Sequence, residues 1–112
     1  MRRGDIWLIN LDPTIGAEIR KKRPCVILNN DAVGALPLRI IAPVTSFKQK
    51  YSIVPWMVKL TPDSMNGLKK NSVIDVFQVR SVSIRRFVEK IGEIKERDLR
   101  KCEEALGIVF SI

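Results

Sequence analysis

The stretch "KKRPCVILNND", Lys21 to Asp31, sets three basic side chains and a proline in front of a short apolar run and closes that run with Asn-Asn-Asp. A few β-branched and apolar residues between a proline and a cluster of turn formers read as a buried strand, "RPCVILN" from Arg23 to Asn29. Five more segments follow the same grammar: "DIWLINL" (Asp5 to Leu11), "LRIIAPV" (Leu38 to Val44), "PWMVKL" (Pro55 to Leu60), "SVIDVFQVRS" (Ser72 to Ser81) and "VEKIGEI" (Val88 to Ile94). The Gly, Pro, Asn and Asp clusters between them supply positive φ or fix a turn. Six short strands at close spacing predict a closed or nearly closed antiparallel barrel, because closure leaves few free edges. The period then changes. In "KERDLRKCEEALGIVF" (Lys95 to Phe110), Leu99, Cys102, Leu106 and Val109 or Phe110 recur at steps of three and four with charges between them. That spacing predicts an amphipathic helix whose apolar stripe covers an end or face of the barrel. The fold class expected is mainly β with a C-terminal α-helix.

With 112 residues the chain suffices for one continuous core, so residues 1–112 are expected to form a single domain. The longest apolar runs fall well short of the roughly 18–20 residues needed to cross a bilayer. Asp5, Asn10 and Asp12 interrupt what would have to be the apolar segment of an N-terminal signal. A cytoplasmic protein with no membrane partner is the expectation.

Twenty Lys and Arg against twelve Asp and Glu leave a net charge of +8, which makes a polyanion the leading partner class, with phosphate backbones ahead of acidic protein segments. There is no histidine, which excludes every mechanism built on a histidine general base. Cys25 and Cys102 have no second thiol or imidazole at ligand spacing and read as small core residues. No metal and no cofactor are expected.

Three segments carry candidate chemistry. The loop "DPTIGAEIRKK" (Asp12 to Lys22) is long for a compact domain, holds Arg20, Lys21 and Lys22, and ends at Arg23-Pro24, where the proline biases Arg23 towards an extended backbone. Arg23 is thereby aimed, although a solvated edge charge would satisfy the same pattern. In "APVTSFKQKYS" (Ala42 to Ser52) the hydroxyls of Thr45 and Ser46 can bond a phosphate oxygen. Phe47 and Tyr51, interleaved with Lys48 and Lys50, can stack bases along a charged track. A Thr-Ser helix cap with Phe47 turned into the core fits that segment equally well. In "SVIDVFQVRSVSIRRF" (Ser72 to Phe87) a period of two puts Gln78 and Arg80 on one face, able to read base edges or phosphate, and Asp75 with Phe77 on the other. A cross-strand ion pair of Arg80 is the structural alternative.

Taken in order, "RRGDIWLINLDPTIGAE", "KRPCVILNND", "APVTS", "VPWMVKL", "GLKKNSVIDVFQVRSVS" and "RRFVEKIGEI" resemble the MazF/PemK toxin family of bacterial toxin–antitoxin modules over nearly the whole chain. The resemblance implies an SH3-like barrel, a homodimer, and a metal-independent endoribonuclease that cleaves single-stranded RNA, mRNA included, at short sequences. It also implies a cognate antitoxin whose acidic C-terminal segment lies over the basic groove. The family's catalytic pair maps onto Arg23 and Thr45. Many members carry a carboxylate just before the glutamine of the fifth strand; here that position is Phe77, which leaves Asp75 and Glu18 as the carboxylates able to support catalysis. Two rivals share the barrel: a CcdB-type toxin that poisons a protein target such as gyrase without hydrolysing anything, and a nucleic-acid-binding module that leaves RNA uncut.

Overall fold

The computed structural model describes residues 1–112. Seven strands, β1 (Asp5–Asn10), β2 (Lys22–Ile27), β3 (Leu38–Ser46), β4 (Met57–Leu60), β5 (Ser72–Asp75), β6 (Arg80–Ser83) and β7 (Phe87–Glu93), precede one helix, α1 (Glu96–Phe110). All pairings are antiparallel in the order β4-β5-β3-β2-β1-β7, with β6 beside the first half of β3. No helix is long and apolar enough to cross a membrane.

The two faces of the bent sheet carry separate cores, as the alternation of side chains requires. Ile6, Val26, Ala42, Val44, Leu60 and Ile74 point to the concave side, where Cys102 and Ala105 of α1 meet them. Ile9, Leu11, Cys25, Ile27, Ile41 and Val82 point to the other side under Trp7, Ile19 and Phe87. The helix is thus the lid that the three-and-four spacing predicts. Arg3 fastens it, donating to the Leu28 carbonyl and, at 2.7 Å, to the Glu103 carboxylate.

One expectation needs correction, and of the closed or nearly closed barrel the second form is found. "SVIDVFQVRS" is not one strand. Val44 faces Ile74 while Ile41 faces Arg80, so three steps along β3 are matched by six along its neighbour, and the surplus is looped out as a 3₁₀ turn, Val76–Gln78. The Asp75 carboxylate causes the break by accepting from the Phe77 amide at 3.2 Å, a local side-chain bond that competes with the ladder. An odd number of extra residues also exchanges the faces, so Val82, which unbroken alternation would place with Ile74, joins the core of Ile41 instead. The period-two face shared by Gln78 and Arg80 therefore does not exist.

Nor is the barrel closed. β4 and β7 end the sheet without pairing, and the loop after β4 spans the gap. Glu93 donates its amide to the Met65 carbonyl at 3.0 Å, and the buried Asn66 side chain ties that loop together through the Thr61 carbonyl and the Asp63 and Leu68 amides. Two glycines interlock across the seam. A Cβ on Gly92 would stand 2.6 Å from the Asn66 carbonyl carbon, and one on Gly67, at φ +65°, 2.8 Å from Ile91 Cγ2.

Because the atoms in the way at Gly92 are backbone, Gly92→Ala should lower the unfolding free energy by about 3 kcal/mol, the upper end of overpacking costs. Gly16→Ala, whose Cβ meets nothing within 4 Å at φ +59°, should cost only the ~1 kcal/mol of a left-handed residue. Urea unfolding of the two variants beside the parent checks the contrast; equal losses would mean that the seam is not tightly packed.

Candidate active site

The ladder between β2 and β3 pairs Cys25 with Pro43, Val26 with Ala42 and Ile27 with Ile41. The ladder ends there; Arg23, two residues before it in β2, and Thr45, two residues beyond it in β3, line one cavity. Arg23 is half-buried, and its Nε donates to the Arg20 carbonyl at 3.1 Å, which fixes the plane of the guanidinium. Its two Nη groups have no partner, and no carboxylate pairs with it. The hydroxyls of Thr45 and Ser46 are likewise unengaged; both residues lie in β3, and the next turn, Gln49–Ile53, is capped by Lys48 without a side-chain bond. The helix-cap alternative is therefore not realised. What results is a fixed cation with free donors beside free hydroxyls, an arrangement that holds a phosphoryl group.

Arg23 leaves a loop that other elements hold in place. Leu11 to Lys21 connect β1 to β2, and three side chains from beyond β5 fasten them. Gln78 Oε1 accepts from the Ile19 amide at 2.7 Å while its Nε2 donates to the Ala17 carbonyl at 3.4 Å. Arg80 donates to the Leu11 carbonyl at 3.3 Å, and Arg86 to the carbonyls of Asn10, at 3.2 Å, and Asp12. Asp12 in turn accepts from the amide of Lys21, which sits at φ +70°, a conformation a non-glycine residue adopts only when held there. Arg80 has no carboxylate partner, so the ion-pair alternative is absent.

Of the two carboxylates singled out from the sequence, neither stands free. Asp75 is 6% exposed; besides the Phe77 amide it accepts from Gln78 Nε2 at 3.1 Å. Burial pushes its carboxyl above the usual range, and the bonds from Phe77 and Gln78 only partly offset this. Glu18 accepts from the Ile15 amide at 2.8 Å within its own loop. Glu18, Gln78 and Arg80 line one cavity of about 480 Å³ beside the exposed Phe77, whose ring leans on Trp56 at 5.3 Å.

The remaining basic candidates lie close in sequence to the pair. Arg20, Lys21, Lys22, Lys48 and Lys50 are exposed, and Phe47 is half-buried at the end of β3. Reasoning from sequence missed a further group. At the open seam a cavity of about 450 Å³ is lined by Arg23, Thr45 and Ser46 together with Lys69, Lys70 and Lys90. The "KK" at 69–70 was visible as charge, but nothing local connects it to Arg23; the two meet only at the cavity between the seam loop and the strands that carry Arg23 and Thr45. Both thiols are free and buried, their pKa values pushed up to about 12 by desolvation, so neither is a nucleophile.

Comparison with known proteins shows the family to which the chain belongs. Residues 2–110 match the family model described as PemK-like, MazF-like toxin of type II toxin-antitoxin system. The chain is 34% identical over 114 residues to Endoribonuclease MazF9 of Mycobacterium tuberculosis, covering 96% of this chain and 94% of the relative. The crystal structure of MazF from Deinococcus radiodurans superposes with a TM-score of 0.84 at 27% identity, covering 100% of this chain and 97% of that one. A MazE-MazF structure from the same organism gives a TM-score of 0.77 at 27% identity, covering 100% and 96%. The mainly β fold with a C-terminal helix is that of the SH3-like barrels of this family.

The raised pKa of Asp75 has a definite sign. Its folded form binds the proton more tightly than the unfolded chain, so this group adds stability as pH falls through its raised value, completely so below the ordinary carboxylate value of about 3.9. Relative to Asp75→Asn, the parent should therefore gain in Tm between neutral pH and about 3.5. Asp63, held low by the Asn66 and Met65 amides, acts oppositely in both proteins and cancels in the difference. A flat or reversed difference would show that Asp75 is ionised without penalty.

Proposed function

The chain belongs to the PemK-like, MazF-like toxins of type II toxin–antitoxin systems, and from that premise we propose that it is a sequence-specific endoribonuclease acting on single-stranded RNA, mRNA included. The observation that carries the reading is the unpaired Arg23 guanidinium lining one cavity with the free Thr45 hydroxyl in a chain without histidine. Its relative MazF9 is named an endoribonuclease.

The ribose 2′-hydroxyl gives its proton to water as its oxygen bonds the adjacent phosphorus, and negative charge accumulates on the equatorial oxygens. The P–O5′ bond breaks, leaving a 2′,3′-cyclic phosphate and a 5′-oxygen that takes a proton from water to become the 5′-hydroxyl. The free Nη groups of Arg23 donate to those oxygens, and Thr45 adds a neutral hydrogen bond; donors already in place spend nothing on reorganisation. A guanidinium does not give up its proton in a protein, so Arg23 acts as a clamp rather than as the base. Arg20, Lys21, Lys22, Ser46, Lys48 and Lys50 draw in the phosphate chain, and Phe47 offers a ring for a base. Gln78 and Arg80 act on RNA through the loop they fasten, and Asp75 and Glu18 support catalysis by holding Gln78 and that loop.

The same basic surface suits an antitoxin with an acidic C-terminal segment, and the MazE-MazF structure holds a similar chain together with MazE. A homodimer would cover the exposed apolar side chains Leu38, Ile40 and Phe110. The CcdB-type reading is not favoured, since it has no use for the Arg23 and Thr45 pair.

Purified protein incubated with EDTA and a long single-stranded RNA should yield discrete fragments ending in 5′-hydroxyls. Arg23→Ala should slow cleavage at least about 100-fold, the loss of a transition-state donor group, with Tm unchanged. RNA left intact across varied sequence contexts would sink the proposal, and a fully active variant would remove Arg23 from the mechanism. An acidic antitoxin segment should block cleavage, and the block should relax as salt rises; a salt-independent block would argue against a shared basic groove.

A further inference from the structure

Thr45 has a second neighbour that no motif announces. Val73 of β5 pairs with Thr45 on one side and with Lys59 of β4 on the other, so Thr45, Val73 and Lys59 form one transverse row on the same face of the sheet, and Thr45 shares a cavity with Arg23. Two strand spacings separate Thr45 from Lys59, about 10 Å. Beside that row opens a cavity of about 310 Å³, floored by Val73 and Met57, walled by Phe47 and Tyr51 and edged by Gln49 and Lys59.

Three features of this cavity ask for a nucleotide. Its walls are aromatic and partly open, while its floor is sealed, Val73 being 1% exposed. Lys59 makes no ion pair and rests its ammonium 4.5 Å from the Phe47 ring centre; Lys50 does the same over Tyr51 at 5.6 Å. No carboxylate lines the cavity, so its cations are left for an anion supplied from outside.

We infer that this cavity is a nucleotide subsite next to the scissile phosphate, in which a base stacks on Phe47 and Lys59 binds that nucleotide's phosphate. The inference rests on the proposed RNA cleavage and extends it to a residue outside the catalytic pair. A base arriving on Phe47 displaces the ammonium from the ring, and the freed cation meets the phosphate that comes with the base. Base stacking replaces an exposed cation–π contact, the weaker of the two. The Gln49 amide at the rim is placed to meet a base edge. Lys59 is thus a substrate-positioning residue, set by strand register one row-width from Thr45.

The test uses the Arg23→Ala protein, in which cleavage is expected to be at least about 100-fold slower, and measures its binding to a long heteropolymeric single-stranded RNA across a salt series. Adding Lys59→Gln should lower the slope of log K against log salt by about 0.7, one phosphate contact on a single strand. Adding Phe47→Leu, which keeps the apolar bulk and removes the ring, should weaken binding about tenfold, and Phe47→Trp should restore it. Unchanged slope and affinity in both variants would overturn the subsite, as would loss of binding to an acidic antitoxin segment with RNA binding intact. Failure of the parent to bind RNA overturns it as well. Wild-type chain that binds but never cuts RNA, with both variants impaired, would leave the subsite standing and remove the nuclease. Wild-type cutting with both variants at parental affinity would do the reverse.

Discussion

The register of β2 against β3 is the constraint on which the site depends. It brings Arg23 and Thr45 to the same face, and a slip of one residue would carry Arg23 to the concave side, away from the hydroxyl. Two features pin it. Cys25, Ile27 and Ile41 must face one core while Val26, Ala42 and Val44 face the other, so a slip would exchange both sets at once. Prolines 24 and 43 lie in these adjacent strands, and each tolerates only a ladder position that asks no donor of it. The proline that restricts Arg23 from the sequence side therefore also restricts the pairing that aims it.

Charge is divided between two tasks. The side-chain ion pairs, Arg3 with Glu103, Lys90 with Asp5 and Glu93, Lys95 with Asp63 and Arg100 with Glu96, tie the N-terminal residues, β7, α1 and the seam loop. Arg20, Lys21, Lys22, Arg23, Lys48, Lys50, Lys59, Lys69 and Lys70 take part in none of them. Exposed pairs of the first kind contribute little each. The second group keeps a positive field over the Arg23 face at the expense of mutual repulsion, a cost that a bound polyanion relieves.

Where local chemistry determines structure, the sequence could be read: the strands from short β-branched runs between turn formers, the helix from Leu99, Cys102 and Leu106, and Arg23 from the proline behind it. It misled where one side chain overrode a local pattern. The alternation through Ser72 to Ser81 is sound, yet the Asp75 carboxylate bonding two residues ahead expels three residues from the ladder and changes the face of everything after it. It was silent where contact is made only by tertiary closure. Lys69 and Lys70 reach the Arg23 cavity because the barrel stays open and its seam is filled by the loop that carries them, and Lys59 joins the row through two successive pairings.

The loop before Arg23 shows why the site cannot be assembled locally. Eleven residues between β1 and β2 would ordinarily be mobile, and one of them, Lys21, stands in a backbone conformation that is unfavourable by itself. Their order comes from Gln78, Arg80 and Arg86, about sixty or more residues later in the chain, each bonding loop backbone rather than loop side chains. Backbone anchorage leaves the loop's own side chains free to vary in sequence without loss of position. It also makes the placement of Arg23, whose Nε is bonded to the Arg20 carbonyl of that loop, contingent on the turn that Asp75 caps. The buried carboxylate, unfavourable in its own surroundings, is kept because it holds Gln78, Gln78 holds the loop, and the loop holds the guanidinium still.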